Sequence, residues 1–444
     1  MDLKVIATRI FHTTKLSAVA AGNRGPDYQF YDLVETPYLN VILIKPGEAG
    51  TKPFLSKDLA MDLKQVTHLG EREQVVIDVR RGFVTIQIPK SSEERGKTIY
   101  TSRNVPRGRD LKVVLGLDVM NQPLRFDFSR QMNTNLSFLG VPGSGKSVLM
   151  RHVNTSLAAN NTPDRVKFLM IEAAKDGLDL TLFANLPHLI HPVITDPGEA
   201  ESALAWAVTR LKTGLDGYRL FIVIDEVAAL VSQRPEAVPL LMALVSQGRA
   251  MGIVNMLATQ LTDKDTLGDG KAIFRQIHNV VLGKAGNAQL SYLLGNKAGL
   301  SAESLLGEGD LILSANDESG RFAGVFTTKQ DILSLPRAER IERLPLAHYT
   351  NTEAVIEHEA RTTKFETEPI PAEVVAAGLR SLQRQVCDRD YRARMAGREY
   401  YVMPVSEVKG LGRNLKTFKE RDQVYITSLF KALWRKGLKL CSRK

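Results

Sequence analysis

The rhythm of hydrophobic and polar positions changes twice along the chain. In the first part, YLNVILI (38–44) reads as a strand, and PGEAGTKP (46–53) as a turn-rich loop. Ser56 then caps a helical pattern through His68, with Leu59, Met61, Leu63 and Val66 at the apolar positions. EQVVIDV (73–79) and FVTIQIP (83–89) are strand-like runs joined at Arg80-Arg81-Gly82, which predicts a hairpin. VVLGLDV (113–119) predicts one more strand. Together these give a small α/β unit over residues 1–122.

From residue 123 the rhythm becomes one of buried strands alternating with helices. NLSFLG (135–140), VKFLMIE (166–172), LFIVIDE (220–226), IVNMLATQ (253–260) and NVVLGK (279–284) are the strands. Residues 147–159, 199–211 and 236–250 carry helical spacing between them. Near-continuous apolar strands alternating with helices predict an α/β, mainly parallel, doubly wound sheet over residues 123–335. DLILSAN (310–316) and RFAGVFT (321–327) read as a hairpin at its edge. Residues 336–370, ending in EHEARTTKFETEPI, resemble a linker, and residues 371–444 form a last module with a helix expected near 422–436.

Composition adds a location to the charge. The chain has 444 residues and a net charge of +10. Residues 371–444 hold 17 basic against 7 acidic side chains, so the surplus belongs to this module and the first 370 residues balance. A basic module points to a polyanionic partner. Cys387 and Cys441 are the only cysteines, too few and too far apart for a zinc site or a disulfide framework, which suits a reducing compartment. No apolar run approaches the roughly 20 residues of a membrane helix, and MDLKVIATRIFHTTK lacks the core of a signal peptide. A cytoplasmic protein is expected, without direct membrane insertion, whose contact with membranes would pass through a membrane-associated partner.

GVPGSGKS (140–147) satisfies G-x-x-x-x-G-K-[ST], follows a predicted strand and opens a predicted helix. Gly140, Gly143 and Gly145 let the backbone turn its N–H groups toward phosphate oxygens, and Val141, Pro142, Ser144 and Val148 complete the nucleotide-contacting segment. Lys146 would contact the β- and γ-phosphates of ATP, and the Ser147 hydroxyl would ligate Mg²⁺. LFIVIDE ends in two acids where unpaired carboxylates would be costly. Asp225 is expected in the Mg²⁺ shell and Glu226 as the general base for water. Gln260, ending IVNMLATQ, is placed to touch the γ-phosphate or the water.

Several segments, taken in order, resemble the FtsK/SpoIIIE family of DNA translocases. They are Gly25-Pro26, LSKDLAMDL (55–63), RRGFVTIQIP (80–89), FSRQMNTNLSFLGVPGSGKSVLM (128–150), PHLIHPVITDPGEAESALAWAV (187–208), GRAMGIVNMLATQ (248–260) and LLGEGDLIL (305–313). The resemblance implies a RecA-like P-loop motor acting as a homo-oligomeric ring, usually a hexamer, with ATP between subunits and double-stranded DNA in the pore. Departures accompany it. The family's Asp-Pro-Lys is Glu172-Ala173-Ala174-Lys175 here, its Arg-Pro after Ala-Thr-Gln is Leu261-Thr262, and Ile277-His278-Asn279-Val280 lacks an arginine at the matching place. The arginine finger implied by the resemblance therefore falls to Arg275 or Arg249, and the pore contacts to Lys264, Lys271 and Lys297.

In the basic module, Arg384, Arg389, Arg392, Arg394 and Arg398 are interleaved with Tyr391, Tyr400 and Tyr401, a pattern that fits a DNA-binding module or a solvated appendage. Three functions compete. The first is a DNA translocase serving plasmid, conjugative or phage DNA transfer or segregation. The second is a genome-packaging or protein-secretion ATPase of the same superfamily, and the third an ATP-switched replication or partition factor.

Overall fold

A computed structural model of the chain describes residues 29–46, 57–67, 69–70, 73–95, 110–173, 180–260, 267, 270–286, 302–315 and 319–346. All of them fall in one unit, Met1–Ala354. The basic module with its cysteines, together with Lys175, Lys264 and Lys297, lies outside the described residues.

The first strands form an antiparallel sheet in the order β1-β2-β4-β3. These are β1 (Gln29–Glu35), β2 (Leu39–Lys45), β3 (Val76–Arg80) and β4 (Phe83–Pro89). Helix α1 (Lys57–Val66) packs on it through Leu63, which is fully buried against Ile42, Ile44, Val84, Ile86 and Ile88. The other face of β2 presents Leu39, Val41 and Leu43, which cluster with Val119 and Leu306 of the larger domain. Burial on both faces explains why β2 is almost continuously apolar. At the predicted hairpin, Arg81 and Gly82 have φ of 48° and 83°, the pair of positive angles that a type I′ turn requires. Strand β1 has no counterpart in the predicted pattern. It is a sheet edge with a register shift near Phe30, and its Phe30 and Tyr31 are exposed.

The second sheet has nine strands in the order β6-β5-β13-β12-β11-β7-β10-β9-β8. Five of them are mutually parallel: β7 (Asn135–Gly140), β8 (Val166–Ile171), β9 (Arg219–Ile224), β10 (Ile253–Gln260) and β11 (Asn279–Leu282). The other four extend it by antiparallel pairing: β5 (Lys112–Asp118), β6 (Pro123–Asp127), β12 (Asp310–Ser314) and β13 (Gly320–Gly324). The helices are α2 (Lys146–Asn160), α3 (Pro197–Thr213), α4 (Val227–Gln233), α5 (Ala237–Gln247), α6 (Lys271–Gln276) and α7 (Lys329–Leu333).

Four expectations are corrected here. The 310–327 hairpin is interior, because β13 pairs with β5 and β6 forms the edge. Strand β5, expected in the N-terminal unit, belongs to the large sheet for the same reason. Its Gly116 permits the closeness of that seam, since a Cβ there would lie 2.0 Å from the Ala323 carbonyl oxygen. The helix expected over 236–250 is α5 alone, with a tight 3-10 turn over Gly248–Met251 and a separate α4 before it. Finally, residues 336–346 are not free linker. The Ala338 amide donates to the Asn185 carbonyl at 2.8 Å, and Leu346 is buried.

One apolar core holds the large sheet and its helices, with Phe128, Phe138, Phe168 and Phe221 at its centre beside Leu149, Val153 and Leu157 of α2. It fixes where the carboxyl ends of the parallel strands fall. At the α3 entry, the Asp196 carboxylate accepts from the Glu199 amide at 2.7 Å and Pro197 follows, a start signal two residues earlier than spacing alone indicates.

Candidate active site

In open parallel sheets, sites form beyond the carboxyl ends of the strands. Here that edge carries the predicted chemistry. The loop 140–147 leaves β7 and enters α2 at Lys146. Asp225 and Glu226 follow β9, and Gln260 ends β10. Because β10 lies between β7 and β9, with Gln260 opposite Gly140 in register, its tip stands between the phosphate loop and the acid pair.

Gly145 has a φ of 98°, which disfavours any side chain, and a Cβ would lie 2.6 Å from the Gly309 nitrogen. Around Gly143, by contrast, nothing lies within 4 Å of where a Cβ would be, so the loop encloses open space on that side. The loop is braced from behind. The Glu308 and Gly309 amides donate to the Gly143 and Ser144 carbonyls at 3.1 and 3.0 Å. The Val141 amide donates to the Lys284 carbonyl at 2.9 Å.

The charged groups converge. The Ser147 hydroxyl donates to Asp225 Oδ1 at 3.1 Å, which pairs two hard oxygen donors of the kind a magnesium ion takes. Lys146 is buried, and its ammonium donates to the Val141 carbonyl at 3.2 Å. Burial pushes its pKa down, against the opposing pull of Glu226 and Asp225. Glu226 is buried as well, and burial holds its carboxyl above the usual carboxylate range. The Thr259 hydroxyl donates to Glu226 Oε1 at 2.6 Å, and the Gln260 amide reaches Oε1 and Oε2 at 3.1 and 3.0 Å. These bonds and the Lys146 charge favour the ionised form.

Thus Gly140, Val141, Pro142, Gly143, Ser144, Gly145, Lys146, Ser147 and Val148 form one loop and first turn, and Ser147, Asp225, Glu226 and Gln260 gather at its edge. Arg275 does not join them. It is exposed at the end of α6, just before β11, whose Asn279 pairs with Leu136 at the opposite end of the sheet. Arg249 is exposed in the turn before β10, at that same far end. Thr259 is a site residue that sequence reasoning missed, since a buried β-branched residue in an apolar strand reads as core.

A phosphate loop, a following acid pair and an intervening strand tip on a parallel sheet define a P-loop ATPase motor domain. Residues 100–215 match the model described as the FtsK/SpoIIIE family. Relatives agree. The chain is 26% identical over 314 residues to DNA translocase FtsK of Leptospira interrogans, covering 61% of this chain and 32% of that protein. It is 27% identical over 371 residues to DNA translocase FtsK of Borreliella burgdorferi, covering 73% and 44%. The chain therefore spans less than half the length of either. The solved structure of the pCW3 conjugation coupling protein TcpA, in monomer form with ATPγS, aligns at 15% identity with a TM-score of 0.44, over 79% of this chain and 99% of that one. Among the described residues no helix is long and apolar enough to cross a membrane.

Proposed function

We propose that this chain is an ATP-driven double-stranded DNA translocase of the FtsK/SpoIIIE type. The observation that carries its hydrolytic half is the buried Glu226 carboxylate, hydrogen-bonded by the β10 tip beside Asp225 and facing the phosphate loop. In this reading the loop amides and Lys146 bind the β- and γ-phosphates, and Ser147 and Asp225 hold Mg²⁺. When bound, that ion neutralises charge on the phosphate oxygens. Glu226 accepts the proton of the attacking water, and Gln260 orients that water or the γ-phosphate. The names of the relatives support the DNA cargo. A homo-oligomeric ring, hexameric in this reading, would let Arg275 serve a neighbouring subunit, because its own site is at the other end of the sheet. The division follows the chemistry: an N-terminal unit, a motor, and a basic module over residues 371–444 that meets DNA.

Turnover of ATP with and without linear duplex DNA tests both halves. Lys146→Ala is expected to abolish nucleotide binding. Glu226→Gln should retain ATP while turnover falls by about 10²–10⁴-fold, the usual worth of a general base. Wild-type hydrolysis that ignores duplex DNA at low salt would remove the DNA half and favour a protein cargo.

A further inference from the structure

Three consecutive residues in the turn before β12 have positive φ: Gly307 at 93°, Glu308 at 54° and Gly309 at 100°. Glycine adopts this region freely, whereas a glutamate is kept there only where its surroundings fix it. Here they do. The Glu308 amide donates to the Gly143 carbonyl at 3.1 Å, and the Glu308 carbonyl accepts the Tyr38 hydroxyl at 2.6 Å. The Gly309 amide donates to the Ser144 carbonyl at 3.0 Å, and the Gly309 carbonyl accepts from the Gly324 amide at 2.8 Å. These contacts are made by backbone, and Glu308 is otherwise exposed. The seam has no room for more: a Cβ on Gly145 would lie 2.6 Å from the Gly309 nitrogen, and one on Gly309 would lie 3.1 Å from the Tyr38 hydroxyl oxygen.

A peptide group is planar and trans, so its carbonyl and its N–H point in opposite directions. Holding back the Gly143 and Ser144 carbonyls therefore turns the Ser144 and Gly145 amides the other way, toward the interior of the phosphate loop. There the Ser144 amide meets the Val141 carbonyl at 3.3 Å, the same carbonyl that takes the Lys146 ammonium at 3.2 Å. The turn is itself held from two sides. Strands β12 and β13 anchor it in the motor, and Tyr38 reaches it from the N-terminal unit, where its ring packs beside Leu39 and Leu306. Burial, with Asp310 and Glu308 nearby, pushes the Tyr38 phenol up, so it remains a donor.

We propose that Tyr38 is a positioning residue for phosphate binding: through its hydroxyl the N-terminal unit fixes the 307–309 turn, and the turn fixes which way the loop amides point. The assignment rests on the ATPase reading above. It makes the N-terminal unit part of how tightly the motor holds its nucleotide. The coupling is reciprocal, because a ligand that steadies the phosphate loop must steady the turn and Tyr38 by the same free energy.

Calorimetric titration of the full chain with ATP and with inorganic tripolyphosphate tests this, because tripolyphosphate has neither sugar nor base. Tyr38→Phe deletes only the hydroxyl. It should weaken both ligands alike, by about three- to tenfold, the worth of one hydrogen bond. Ile86→Val trims the core of the N-terminal sheet without touching the turn, and should leave both affinities within about twofold of wild type. A loss confined to ATP would make Tyr38 a contact of the nucleoside and would overturn the proposal. So would Tyr38→Phe affinities within about twofold of wild type, or an equal loss in Ile86→Val. Hydrogen exchange on the wild type gives a test without a variant. Tripolyphosphate should slow exchange in the peptide carrying Tyr38 and Leu39, whose amide donates to Thr36 Oγ1 at 3.0 Å, and unchanged exchange there sinks the coupling. A wild type that binds neither ATP nor tripolyphosphate would instead remove the ATPase reading beneath it.

Discussion

Burial pushes the Glu226 carboxyl up, while the Thr259 hydroxyl, the Gln260 amide and the Lys146 ammonium pull it back toward ionisation. For a general base the sign matters, since activity needs the ionised form and is lost as pH falls through the pKa. A raised pKa places the acid limb of the kcat/KM profile above that of an ordinary carboxylate. Thr259→Val deletes one bond to the charged form while keeping the shape of the side chain. The limb should then move to still higher pH, and the plateau kcat should fall roughly tenfold, as for loss of a hydrogen bond to a charged group. A pH series of ATPase rates measures both. A limb that stays in place would mean that Thr259 is only packing. At this scale the sequence was most legible where the chemistry is local. Residues 140–147 carry their own spacing, and Asp225 and Glu226 stand where an apolar strand stops. Thr259 was illegible because its partner is 33 positions away in sequence and meets it across neighbouring strands.

Among elements, the hairpin β12–β13 and the loop before it connect the two domains. Arg321 reaches Asp310 with two bonds, Nε to Oδ1 at 2.9 Å and Nη2 to Oδ2 at 2.6 Å, both residues being buried. The same guanidinium contacts Gln87 Oε1 of β4 at 3.4 Å, and Asp310 Oδ2 also accepts from the Leu306 amide at 2.9 Å. That carboxylate thus shapes the loop whose Glu308 and Gly309 brace the phosphate loop. Removing one partner of a buried pair leaves the other charge without compensation. Arg321→Met is expected to cost roughly 3–5 kcal/mol, read as a lower urea midpoint, with weaker nucleotide binding. Loss of less than about 1 kcal/mol would show that the pair is no better than a surface one. The strands of this hairpin were legible from their apolar runs. Its interior position was not, because only long-range pairing with β5 decides which strand becomes the edge. The parallel half was easier, since strands buried on both faces announce themselves as continuous apolar runs.

For the whole molecule, the decisive quantity is where charge sits. Residues 1–370 are balanced, and the surplus of 17 basic over 7 acidic side chains lies in residues 371–444. Each phosphate neutralised by a cation contributes about −0.9 to the slope of log affinity against log salt. A motor that gripped DNA only through a few pore residues would show a shallow slope. A chain whose last module also engages phosphates would show a steep one. Deleting residues 371–444 should therefore weaken duplex binding at low salt and flatten the slope, by about five units if some six phosphate contacts are lost. Basal ATP hydrolysis without DNA should persist, because the residues assigned to nucleotide and water all lie between Gly140 and Gln260. Binding isotherms at several salt concentrations, paired with basal turnover, measure the two effects separately. An unchanged slope would assign DNA contact to the motor and leave the basic module as a solvated appendage. Collapse of basal hydrolysis would make the module part of the motor's own fold.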